Sequence, residues 1–144
     1  MSKSGVCTHS TQSAFEDYVI IATAPHKVQS LRDYLRKTDN PHGLGSRELV
    51  GSYKGEIETA WIVNVKRLPA IQAAGFLIEQ ESVLHLLHNP RGARIAWLEF
   101  VRSGNKTALG HFVNVPEEQA KREQGWTFCP ATHAYYVCTR GDRI

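Results

Sequence analysis

The stretch Asp17-Tyr-Val-Ile-Ile-Ala-Thr23 constrains the fold more tightly than any other part of the chain. It is a short, nearly continuous apolar run rich in β-branched residues, the pattern of a strand covered on both faces. A fold containing it must therefore place material on either side of a central strand. The next segment, PHKVQSLRDYLRK, reads as a helix: Thr23 can cap it, Pro25 sits where the first turn tolerates a missing N–H, and Val28, Leu31 and Leu35 form one apolar stripe. TDNPHGLG then interrupts regular structure. SRELVGSYKG and IETAWIVNVKR follow as two strands, with β-branched bulk at Ile62, Val63 and Val65. Pro69 opens a second helix through PAIQAAGFLIEQ, in which Ala73, Ala74 and Gly75 permit close approach to a sheet, and SVLHLLHN is the next strand.

Strand, helix, strand, strand, helix, strand is the order of a ferredoxin-like βαββαβ core, an α+β fold with two helices on one face of a four-stranded antiparallel sheet. Additional C-terminal strands are expected at ARIAWLEFV, ALGHFVNV and AYYVCTR, together with a short helix, PEEQAKREQG, opened by Pro116 and closed by Gly125. These strands either extend the sheet or mediate assembly. A helix-free sheet face carrying Trp61 and Trp97 would be a large apolar patch on a monomer, so oligomerisation through it is expected.

A chain of 144 residues with 42% hydrophobic content suits one domain. It is expected over residues 15–144, behind a flexible Ser/Thr-rich head at 1–14. The net charge of +3 comes from scattered basic residues, which permits nucleic-acid binding without indicating it. Cys7, Cys129 and Cys138 are odd in number and lack CxxC spacing, which argues against a disulfide framework and a zinc site and favours a reducing cytoplasm. No segment has the apolar core of a signal peptide or the ~18 apolar residues of a membrane span, so a soluble protein with no membrane partner is expected.

GxSxG, Walker, HExxH and GxGxxG patterns are absent. His85 and His88 lie three apart on a strand and so face opposite sides, which disfavours a shared metal, and His111 reads as a sheet residue. Glu79 and Glu81 fall between a helix end and a strand start, where the helix dipole offers a carboxylate nothing. They are either simply solvated or turned toward a cationic ligand. SYKGEIET raises the same alternatives: an ordinary polar turn around Gly55, or a site using Tyr53 and Glu58.

Several matches bear on this choice: Gly51-Ser52-Tyr53, the acid Glu58 at a strand start, Glu79-Gln80-Glu81 before Val83-Leu84, and Gly110-His111-Phe112 through Val115-Pro116. Together they resemble the phage-encoded S-adenosylmethionine hydrolases, also described as S-adenosylmethionine lyases, which are small antirestriction proteins. The likeness extends over about two thirds of the chain, as short matches and not one dense motif. Only four residues separate Tyr53 from Glu58, a shorter interval than in the family pattern. The resemblance implies a PII-like trimer with active sites between subunits, acting in the cytoplasm of an infected host. It implies Tyr53 and Glu58 as catalytic residues, Ser52, Glu79 and Glu81 as substrate-binding residues, and neither metal nor cofactor. The substrate's own carboxylate would attack its γ-carbon, giving methylthioadenosine and homoserine lactone and depleting the methyl donor used in host restriction or methylation. Two other classes stand beside this one. A non-enzymatic PII-like nucleotide sensor would use the same clefts, and a nucleic-acid-binding module would use RGAR (91–94) and Lys66-Arg67, with Trp61 or Trp97 for stacking.

Overall fold

The structure, a computed structural model, describes residues 15–42 and 45–139. The head expected at 1–14 lies outside the described residues. The described chain forms eight strands, β1 (Tyr18–Ala22), β2 (Arg47–Tyr53), β3 (Glu56–Asn64), β4 (Ser82–Leu87), β5 (Arg94–Phe100), β6 (Lys106–Val115), β7 (Gly125–Cys129) and β8 (Ala134–Thr139). Three helices accompany them: α1 (Val28–His42), α2 (Leu68–Ala73) and α3 (Glu117–Ala120).

Strand neighbours run β1-β3-β2-β7-β8-β6-β5-β4, and β4 pairs with β1 again, so the sheet closes into an antiparallel barrel. This closure overturns the expected ferredoxin-like α+β core. The order strand, helix, strand, strand, helix, strand does occur between residues 18 and 87. Yet the sheet built from those strands has no free edges: β5 adds to β4, β7 adds to β2, and β6 and β8 join them. Closure removes the unpaired N–H and C=O groups that open edges would present.

The alternation of side chains sorts the apolar residues into two cores. Inside the barrel, Tyr18, Leu49, Ala60, Ile62, Leu86, Ala96, Phe112, Cys129 and Tyr136 pack together. Outside, α1 and α2 cover Val19, Ile21, Trp61, Val63 and Val83 with Leu31, Leu35 and Ile71, joined by Leu77 from the turns after α2. The run Tyr18–Ala22 is apolar on both faces because β1 lies between these two cores. The open apolar face from which assembly was expected is thus the barrel interior. Trp61 is not on it, being buried on the helix side, and Trp97 is partly exposed on the outer surface.

One end of the barrel is plugged. Arg94 is 2% exposed, donates to the Glu16 carbonyl at 2.6 Å and lies 4.9 Å from the Tyr18 ring centroid.

Local departures have local causes. The Thr23 hydroxyl donates to the Phe76 carbonyl at 2.6 Å instead of capping the following helix, which begins as a 3-10 turn at Pro25–Lys27. α1 continues through Thr38, whose hydroxyl donates to the Tyr34 carbonyl one turn back. α2 stops at Ala73, two residues before Gly75 adopts a φ of +87°. Cys138 is a free thiol, whereas Cys129 is disulfide-bonded, a departure from the reading of the cysteines as arguing against a disulfide framework.

Candidate active site

The open end of the barrel is organised by the β2–β3 hairpin. Lys54 and Gly55 both have positive φ, 51° and 85°, which makes a two-residue turn with the twist that antiparallel strands favour. That turn sets the register: Tyr53 pairs with Glu56, Gly51 with Glu58, and Leu49 with Ala60. Because side chains alternate, Tyr53, Gly51, Glu56 and Glu58 share the inward pleat with buried Leu49 and Ala60. Two acids and a tyrosine are thereby brought to the mouth of the barrel, with a glycine opposite Glu58. A Cβ at Gly51 would stand 3.8 Å from Glu58 Cγ, so the missing side chain is what leaves room in front of this carboxylate. The Lys54 N–H donates to the Gln124 carbonyl at 2.8 Å, tying the hairpin to the turn before β7.

Below this mouth lies a cavity of about 770 Å³, within the size range of small-molecule sites. Of the residues singled out from the sequence, Ser52, Tyr53, Glu58 and Glu81 line it together. Ser52 contributes to the rim from the alternate pleat, paired with Ile57 and Trp126. Tyr53 is 59% exposed at the rim. Glu79 is elsewhere, 3.6 Å from Lys27 and 3.8 Å from His26, so its carboxylate faces the Lys27 ammonium and the His26 ring of the chain itself. Glu81, just before β4, turns to the cavity.

Gln80, which falls within the Glu79-Gln80-Glu81 match, also lines the cavity, as do Glu123, Thr127, Tyr136 and Cys138, none of which is singled out by sequence as a site residue. Tyr136 and Cys138 stand two apart on β8 and so share its inner pleat, but which pleat is inner depends on barrel closure.

The electrostatics are one-sided. Glu58, Glu81 and Glu123 are among the lining residues, and among the described residues no Lys, Arg or His is. Partial burial, and secondarily the neighbouring Glu56, holds the Glu58 carboxyl above the usual carboxylate range. Burial pushes the Cys138 thiol up to about 11, so it stays protonated and is not a ready nucleophile. Burial likewise raises Tyr136, leaving its hydroxyl a neutral donor.

The raised Glu58 carboxyl makes a stability prediction. The empty protein binds this proton more tightly than the unfolded chain does, so the associated stability is present in acid and is lost as pH rises through the raised value. Glu58→Gln should therefore melt at or above the wild type near neutrality, with the difference vanishing in acid. Because the mouth is open to solvent, the gap should stay below about 1 kcal/mol. Chemical denaturation across a pH series reads it directly.

The remaining candidates are placed apart from the cavity. His85 bonds Glu99 at 2.6 Å on the outer surface, while the His88 amide donates to Asp17 and its ring meets Phe15. His111 sits in β6. Of the residues suggested for nucleic-acid contact, Arg94, Arg67 and Trp61 are buried, and Arg67 is engaged by Asp39 and Thr38.

The fold and its lining define a class: a β-barrel protein whose lumen opens at one end as a pocket lined by acidic side chains. The chain belongs to the S-adenosylmethionine lyase family, whose model matches residues 12–139. It is accordingly an S-adenosylmethionine lyase, acting on a substrate with a sulfonium and an α-ammonium. No curated protein matches the chain.

Proposed function

We propose that the barrel mouth holds S-adenosylmethionine with its α-ammonium at Glu58, and that the substrate's carboxylate displaces the sulfur from its own γ-carbon. The carboxylate oxygen forms the new bond to the γ-carbon as the carbon–sulfur bond breaks. Its electron pair returns to sulfur, giving neutral methylthioadenosine and homoserine lactone. The observation carrying this reading is a lining with three carboxylates and, among the described residues, no cationic side chain. It suits a ligand with two positive centres, and it offers the substrate carboxylate no partner that would dull it as a nucleophile. Phosphates of a sensed nucleotide would find no cation among the described lining residues.

Glu58 gains most by holding the ammonium and not the sulfonium. The sulfonium charge disappears in the transition state, so a carboxylate beside it would stabilise the substrate more than the reaction. The ammonium keeps its charge and can anchor the chain in a coiled conformation. Intramolecular positioning of this kind can lower a barrier by roughly 7–11 kcal/mol. Tyr53, at the rim, orients the methionyl portion, with Ser52 and Glu81 beside it.

The trimer that the resemblance implies would place these mouths between subunits, with a neighbouring chain completing each site. Consumption of the methyl donor would starve methylation and donor-dependent restriction in the cytoplasm where it is made, consistent with a phage antirestriction role. The direct test is incubation with S-adenosylmethionine and chromatography of the products. Methylthioadenosine should appear without added metal and at an unchanged rate with a chelator; a metal requirement would overturn the mechanism.

A further inference from the structure

We propose that Tyr136 determines specificity at the cavity floor, its hydroxyl donating a hydrogen bond to a ring nitrogen of the substrate's purine. This rests on the substrate reading above. Tyr136 lies on the inward pleat of β8, is 6% exposed and lines the cavity. Its ring stacks on Phe112, with centroids 4.9 Å apart and planes 4° from parallel, which fixes the direction of the hydroxyl. Among the described residues, no group hydrogen-bonds that hydroxyl, and burial alone accounts for its raised pKa. The hydroxyl is not one of the sealed, partnerless polar atoms of the interior but stands open to the cavity, where an acceptor on the ligand can meet it.

The neighbours indicate which part of the ligand that is. Ile20, Ala60, Leu84, Leu98, Leu109 and Phe112 make this portion of the lining apolar, while Glu58, Glu81 and Glu123 supply its carboxylates. A substrate with a cationic amino-acid end and a flat heteroaromatic end matches that division in one orientation. The ammonium meets the acids, and the purine, with apolar faces and acceptor nitrogens at its edge, lies among the apolar residues beside the Tyr136 phenol. A neutral phenol suits such an acceptor, and burial keeps Tyr136 neutral.

The test compares wild type and Tyr136→Phe, which retains the stacked ring and its volume, on S-adenosylmethionine and on analogues in which one purine ring nitrogen at a time is replaced by C–H. In the wild type one analogue should be about five- to tenfold poorer in kcat/KM, the size of one neutral hydrogen bond. Tyr136→Phe should handle that analogue and the natural substrate equally well. Wild-type indifference to every analogue, or the same discrimination persisting in the variant, would overturn the assignment. A variant loss confined to steps common to all analogues would place the bond on the substrate carboxylate and also overturn it. Absence of methylthioadenosine release by the wild type would instead remove the substrate reading. The corresponding methylthioadenosine analogues, measured by binding alone, then decide the subsite; should the variant fail to fold, the wild-type series alone does so.

Discussion

Glu58→Gln is expected to lower kcat/KM for S-adenosylmethionine by about 100-fold while leaving the barrel folded, the scale of loss when a reacting group is misplaced by about 1 Å. Glutamine keeps the shape of the side chain and removes the charge that holds the ammonium. The substrate then enters a pocket that still has Glu81 and Glu123 but lacks the carboxylate facing the gap left by Gly51. The same substitution relieves the partly buried charge of the empty protein, so activity and stability should move in opposite directions. An unchanged rate in a folded Glu58→Gln protein would remove Glu58 from the mechanism.

Gly51→Val should reduce kcat/KM on the order of 10- to 100-fold without unfolding the protein. Gly51 does not use the left-handed backbone region, and a Cβ there makes only ordinary contacts, 3.8 Å to Glu58 Cγ and 3.9 Å to the Glu58 carbonyl oxygen. Alanine is therefore tolerated with a small effect. Valine suits the strand backbone but projects methyl groups into the space before the carboxylate. Steady-state kinetics of the alanine and valine variants separate lost room from backbone damage.

Much of this site was legible locally. Gly55 marks the hairpin turn, and a two-residue turn puts Glu58 opposite Gly51 and on the same pleat as Tyr53. The β-branched runs locate β1, β3 and β4. Closure of the sheet was not legible, because it depends on β7, the five residues GWTFC. A segment that short, following a four-residue helix, carries no clear alternation, and its strand character comes from pairing with β2 and β8. Without β7 the sheet reads as open, with helices on one face and a vacant apolar face on the other. With it, that face becomes a lumen, and Tyr136 and Cys138 become part of its wall. Glu79 and Glu81 could not be told apart from sequence, since what separates them is the proximity of Lys27, 52 positions away from Glu79. Arg94 and Arg67 appeared as surface charge in a basic-patch reading, but long-range contacts with the Glu16 carbonyl and with Asp39 hold them inside.

The most direct test of the central claim is the fate of oxygen during turnover in oxygen-18 water, followed by mass spectrometry of the earliest product. Attack by the substrate's tethered carboxylate makes the ring oxygen a substrate oxygen, so the first product should be unlabelled homoserine lactone. Homoserine from later ring opening should carry solvent oxygen in its carboxyl group and not in its γ-hydroxyl. Early label on the γ-hydroxyl would contradict the account: water would then be the nucleophile and Glu58 its general base.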